Sequence, residues 1–91
     1  MMARREFSPD EARELGRQIG VDWKRISVEE FRRGLSVELE HGTHDPQTNV
    51  TNDDGVTTAK IALAHLKAFP DYYTRLAKME AEADAYWAKK R

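Results

Sequence analysis

Between Glu38 and Asp54 the chain gathers the side chains that can do chemistry. Glu38 and His41 stand three apart, which on a helix puts a carboxylate and an imidazole on one face. Paired helices in di-iron bundle proteins use that Glu-x-x-His spacing to hold metal. His44 and Asp45 follow at once, and Asp53 and Asp54 close the run. If the helices on either side lie next to each other, Glu38, His41, His44, Asp45, Asp53 and Asp54 could share one small volume. Mixed nitrogen and oxygen donors of this kind suit a divalent metal such as zinc, iron or manganese better than calcium. The competing reading is local. A histidine in a last helical turn gains from the negative end of the dipole, and Gly42 after it makes an ordinary stop. A full di-metal site needs a second Glu-x-x-His, which only a second copy of the chain would supply.

His65 is a tempting third imidazole. It lies 11 residues beyond Asp54, about 16 Å along a helix at 1.5 Å per residue. An antiparallel neighbour brings residues near Glu30 opposite it, so His65 is expected to pair with the turn after it, through Asp71 or Tyr72. Two EF-hand echoes fail on their ligands. Around Arg25–Phe31 the first positions of a calcium loop fall on Ile19, Val21 and Trp23. Around Asn52–Gly55 the first place falls on Val50 and the twelfth on Ile61. Calcium needs about six to eight oxygens, and these side chains have none to give.

The elements that must position these groups are helices. Ser8-Pro9-Asp10-Glu11 is a capping box with proline at the first helical position, and Gly20 can terminate the helix it starts. Ser27-Val28-Glu29-Glu30 is a second box. Val28, Phe31, Leu35 and Leu39 then recur at helical spacing, with Gly42 expected as the terminator. A third helix begins near Asn52–Asp54, carries Val56, Ala59, Ala62, Leu63 and Leu66 on one stripe, and stops at Phe69-Pro70. A fourth starts at Pro70 or Asp71, and Tyr72, Leu76, Met79, Ala83 and Tyr86 mark its expected buried face. The chain therefore reads as all-α, one compact four-helix domain over 1–91. Two helical hairpins, 1 with 2 and 3 with 4, flank an ordered polar loop, and residues 1–6 fray. The loop is unusually long for a helix–helix joint, which is where function or disorder concentrates.

Composition narrows the classes. The 91 residues hold 15 basic and 16 acidic side chains, a formal charge of −1, and no cysteine. Thiolate metal sites, disulfides and thiol nucleophiles are excluded together. No apolar run reaches the ~20 residues needed to cross a bilayer, and no secretion signal opens the chain, so a cytoplasmic protein is expected. Gly-x-Ser-x-Gly turns and phosphate-loop glycines are absent, and Ser8, Ser27 and Ser36 read as caps or helix surface.

The strings Glu40-His41-Gly42, Asp45-Pro46-x-Thr48-Asn49-Val50-Thr51-x-Asp53-Asp54, Ile61-Ala62-x-Ala64-His65-Leu66-Lys67 and Phe69-Pro70-Asp71-Tyr72-Tyr73-x-Arg75-Leu76 resemble a family of small bacterial and phage proteins of unknown function. The similarity spans Phe7 to Trp87. The resemblance implies a family and transfers no activity, cofactor or catalytic residue.

Three functions follow from the residues. The first is a non-enzymatic module that meets a protein partner or a second copy of itself, a homodimer, through Tyr72, Tyr73, Asn49 and Thr51. The second is the metal site of Glu38, His41, His44, Asp45, Asp53 and Asp54. The third is nucleic-acid binding through Arg13, Arg17, Lys24, Arg25, Arg32 and Arg33, which the scattered acids disfavour.

Overall fold

Serine caps set the first two helices. The computed structural model describes residues 6–90 and has four: α1 (Pro9–Ile19), α2 (Val28–His44), α3 (Gly55–Ala68) and α4 (Tyr72–Lys89). The fraying expected of residues 1–6 lies, apart from Glu6, outside the described residues. At α1 the box is complete. Ser8 Oγ accepts from the Glu11 amide at 3.0 Å, and Glu11 accepts from the Ser8 amide at 2.9 Å. Gly20 takes φ +78° and ends the helix. At α2 only half the box forms. Ser27 accepts from the Glu30 amide, but the Glu30 carboxylate turns away to serve α4.

α2 is the central element. It packs most extensively on α3 and also touches α1 and α4, while α1 and α4 do not meet. The main seam is α2 against α3. Phe31 and Leu35 of α2, Ala59, Ala62 and Leu66 of α3, and Phe7, Ala12, Ile26 and Tyr73 form the buried core. Trp23, in the α1–α2 link, sets its edge on Phe31 with centroids 5.6 Å apart. Gly34 sits where α2, α3 and α4 come closest. A Cβ there would stand 2.6 Å from the Tyr73 ring and 3.0 Å from Ala62 Cβ.

Two expectations need correction. Gly42 is not the terminator of α2. It lies inside the helix, buried, where a Cβ would meet Asn49 Oδ1 and Thr51 Oγ1 at 3.2 Å each. The loop folds back onto the bare backbone, so glycine is needed for approach and not for a turn. The buried face of α4 also differs. Tyr73 is its one buried residue, while Met79, Ala83 and Tyr86 are exposed. Contact with the body ends after the first two turns, and the remainder of α4 projects. The apolar stripe is present, but nothing among the described residues covers it.

α4 begins without a local cap. Asp71 stands at the N-cap position and makes no side-chain cap bond. The Glu30 carboxylate substitutes from across the core, accepting from the Thr74 amide at 2.8 Å and the Thr74 hydroxyl at 2.9 Å. An acid at that end also meets the positive end of the helix dipole. No described helix is long and apolar enough to cross a membrane.

Candidate functional site

Glu38 lies seven residues after Phe31, so helical periodicity aims it inward with the core. Its side chain is 12% exposed. A carboxylate in that position must be bonded. Tyr73 supplies the bond, its hydroxyl donating to Glu38 Oε2 at 2.6 Å. His65 completes the cluster. Its Nδ1 stands 3.1 Å from the same oxygen and 3.0 Å from Tyr73 Oη. With the proton on Nδ1 the ring donates toward Glu38 and leaves Nε2 as an acceptor. Tyr72 stacks flat on the imidazole, centroids 4.5 Å apart and planes within 7°. His65 thus pairs with Tyr72 as expected, but it also reaches Glu38, two turns beyond Glu30. Long side chains from two helices span a gap that backbone register alone does not predict.

Burial, followed by the neighbouring Glu38 carboxylate, holds the Tyr73 phenol well above its usual value of 10.0. The fold thus favours the neutral phenol. That contribution is complete below pH 10 and is lost as pH rises beyond it. Tyr73→Phe is expected to cost about 1.5–3 kcal/mol at neutral pH, the value of a hydrogen bond to a charged group. It should also flatten the decline in stability above pH 10. Urea melts of both proteins from pH 8 to 11.5 check this. Parallel declines would remove Tyr73 as the cause.

Of the three groups, Glu38 and His65 line a cleft of about 450 Å³ between α2 and α4. Val37, Glu38, Glu40, His41 and His44 line one side, Tyr72, Leu76 and Glu80 the other, and His65 the base. His41 and His44 sit in the last turn of α2, near the negative end of its dipole. The lining has three carboxylates, three imidazoles and no lysine or arginine. A carboxylate-oriented imidazole is what a general base requires. The lining holds no serine, threonine or cysteine.

The expected metal set separates. Glu38, His41 and His44 line the cleft. Asp45, Asp53 and Asp54 are engaged in the loop. Asp45 Oδ1 accepts from the Gln47 amide at 2.9 Å, and Asp53 Oδ1 accepts from Asn49 Nδ2 at 2.8 Å. Asp54 Oδ2 accepts from both the amide and the hydroxyl of Thr57 at 2.8 Å. Those bonds, the amide first, hold the Asp54 carboxyl below its usual range. Among the described residues no group of three or more histidine or acidic side chains is placed to hold a metal ion.

The contact residues expected in the loop also serve the fold. Asn49 Oδ1 accepts from the amides of Thr51 and Asn52, and Thr51 Oγ1 accepts from the Asp53 amide. Asn52 and Asp53 adopt left-handed φ of 53° and 61°, which short polar side chains tolerate best. Thr51 and Tyr73 are buried, so a partner cannot reach them in this state. The expected basic face is occupied too. Arg13 pairs with Asp10, Arg17 with Glu14, Arg25 with Asp22, and Arg32 and Arg33 with Glu29.

With the helices and cleft defined, comparison places the chain. Residues 12–82 match the family described as protein of unknown function (DUF5661). The chain belongs to that family. In this DUF5661 chain the matched segment covers all of α2 and α3, the polar loop and the cleft, and ends within the projecting part of α4. No curated protein and no solved structure matches. Sequence reasoning missed the parts played by Gly34, Glu40 and Glu80, and read Glu30 only as the acid of a local capping box.

Proposed function

We propose that this protein is a non-enzymatic interaction module that pairs with a second copy of itself through the outer part of α4. One observation carries the reading. From Ala77 to Lys90 no residue is buried, yet that stretch presents Met79, Tyr86 and Trp87 at 58%, 54% and 61% exposure. Helices of this length are marginal in water unless an apolar face is packed. At 3.6 residues per turn, Tyr72, Leu76, Met79, Ala83, Tyr86 and Trp87 fall within roughly a third of the helix circumference. That is the width of a helix–helix seam.

The exposed charges of α4 run in blocks, Arg75 and Lys78 first, then Glu80, Glu82 and Asp84, then Lys89 and Lys90. An antiparallel second copy lays the two apolar stripes face to face. It also keeps the two bodies at opposite ends of the pair. From Leu76 to Trp87 the seam is about 18 Å long at 1.5 Å per residue. That is short of a standard interface of ~800 Å² per partner, so association on the order of micromolar is expected. The cytoplasmic setting expected of the sequence belongs with this reading.

Sedimentation across concentration tests it. Wild type is expected to approach twice the monomer mass at tens of micromolar, about ten times a micromolar dissociation constant. Trp87→Ala and Met79→Glu should remain monomeric with unchanged circular dichroism. A wild type that stays monomeric at every concentration would sink the proposal.

A further inference from the structure

The protons around Glu38 fix the state of His65. Tyr73 Oη gives its only proton to Glu38 Oε2 at 2.6 Å. His65 Nδ1 stands 3.1 Å from the same oxygen and 3.0 Å from the Tyr73 hydroxyl. A bare lone pair on Nδ1 would face that carboxylate oxygen with no proton between them, so Nδ1 carries the proton. The neutral ring then keeps its lone pair on Nε2. Nε2 makes no hydrogen bond among the described residues, and His65 lines the cleft. The cleft thus presents an unused acceptor beside the apolar surfaces of Val37, Tyr72 and Leu76. A flat apolar group with one N–H donor matches it.

The chain carries such a group in the open. Of its two tryptophans, Trp23 packs on Phe31, while Trp87 is 61% exposed. Leu76, Glu80 and Trp87 share one flank of α4 by helical spacing, and Leu76 and Glu80 line the cleft. In a two-fold antiparallel pair like flanks meet and the two ends of the seam exchange, so the second copy's Trp87 comes level with Leu76. We infer that the cleft seats the indole of the second copy's Trp87, with the indole N–H donating to His65 Nε2. This inference rests on the self-association proposed above. Area favours this occupant. The outer seam is short of a standard interface of ~800 Å² per partner, and one buried aromatic side chain adds about 150–250 Å². Glu38 keeps both of its partners, Tyr73 and His65, throughout. By symmetry the pair has two such seats, one at each end. A parallel copy would set Trp87 beside Trp87 and leave both seats empty, so the seat fixes the direction of the pair.

In one chain Leu76 and Trp87 lie 11 residues apart on α4, about 16 Å, so their side chains can touch only between copies. NMR of the full chain at dimer-forming concentration is expected to show cross-peaks from the Trp87 indole to the Leu76 methyls and the His65 ring, and to lose them on dilution. Sedimentation equilibrium reads the hydrogen bond. Trp87→Phe keeps a ring without the N–H, and His65→Phe keeps a ring without the acceptor. Each is expected to weaken the dimer about tenfold, and the double variant no further, because both remove the same bond. If His65→Phe fails to fold, Trp87→Phe and the cross-peaks decide. A dimer without the Trp87–Leu76 cross-peak, or losses that add in the double variant, would leave self-association standing and overturn the seat. If wild type never dimerises, both fail.

Discussion

Gly34→Ala will destabilise the protein by about 2 kcal/mol, although alanine is the better helix former by ~1 kcal/mol. Over-packing a filled core costs about 1–3 kcal/mol or more, and this site lies at the severe end. The added methyl would stand 2.6 Å from Tyr73 Cε2, nearer than real carbon contacts come. A flexible neighbour could swing aside, but Tyr73 cannot. Its hydroxyl is bonded to Glu38 at 2.6 Å, and its ring meets the edges of His65 and Tyr72. Ala62, on the other side, belongs to the α3 backbone wall. For a domain of this size the loss corresponds to roughly 8–16 °C in Tm. Urea and thermal melts measure it. A double-mutant cycle with Tyr73→Ala then assigns the cause, because alanine at 34 should cost far less once the ring is gone. A neutral or stabilising Gly34→Ala would mean that α2 and α4 are not this close.

Glu30→Ala will cost about 2–4 kcal/mol, since two hydrogen bonds to a charged group vanish and the first turn of α4 loses its only cap. Glu30→Gln keeps one acceptor and should lose less. The effect reaches beyond stability. Tyr73 follows Tyr72 at the start of α4, so loosening that turn frees the phenol that holds Glu38 and His65. Hydrogen exchange at the Thr74 amide should therefore accelerate in Glu30→Ala, and the His65 ring should lose its fixed environment. Unchanged exchange at Thr74 would show that α4 is held by packing alone. Asp71→Ala is the control. Its carboxylate pairs only with exposed Arg75, at 2.8 Å, so its removal should cost little.

Both effects converge on Tyr73. It is 2% exposed, closes the core against Gly34, and bridges two helices through one hydroxyl. In the sequence it is indistinguishable from Tyr72. Both stand in the first turn of a helix, and the stripe of 3- and 4-residue spacings runs through Tyr72. The structure inverts their roles. Tyr73 goes inward because α4 meets α2 and α3 only at its start, where the angle of approach, not the stripe, decides which residue enters. Tyr72 remains at the cleft wall, flat against His65.

The four helices, their order and most of their ends were determined by the sequence alone. Ser8, Ser27 and Asp54 each accept from an amide three residues on, and Gly20 needs only its own freedom of φ. Such interactions close within a single turn, so composition and spacing reveal them. The polar loop is legible for the same reason, since Asn49, Thr51 and Asp54 bond to backbone within three residues of themselves. Tertiary structure decided what acts at a distance. Glu30 left its local box to cap a helix 44 residues away. Gly42 became a landing surface instead of a stop. Glu38 met His65 and Tyr73, while Asp45, Asp53 and Asp54 stayed with the loop. The apolar stripe of α4 was visible as a stripe, but whether the chain itself would cover it depended on where the body ended. Each of these outcomes depends on how helices cross and how far side chains reach, and no pattern within one helix encodes that.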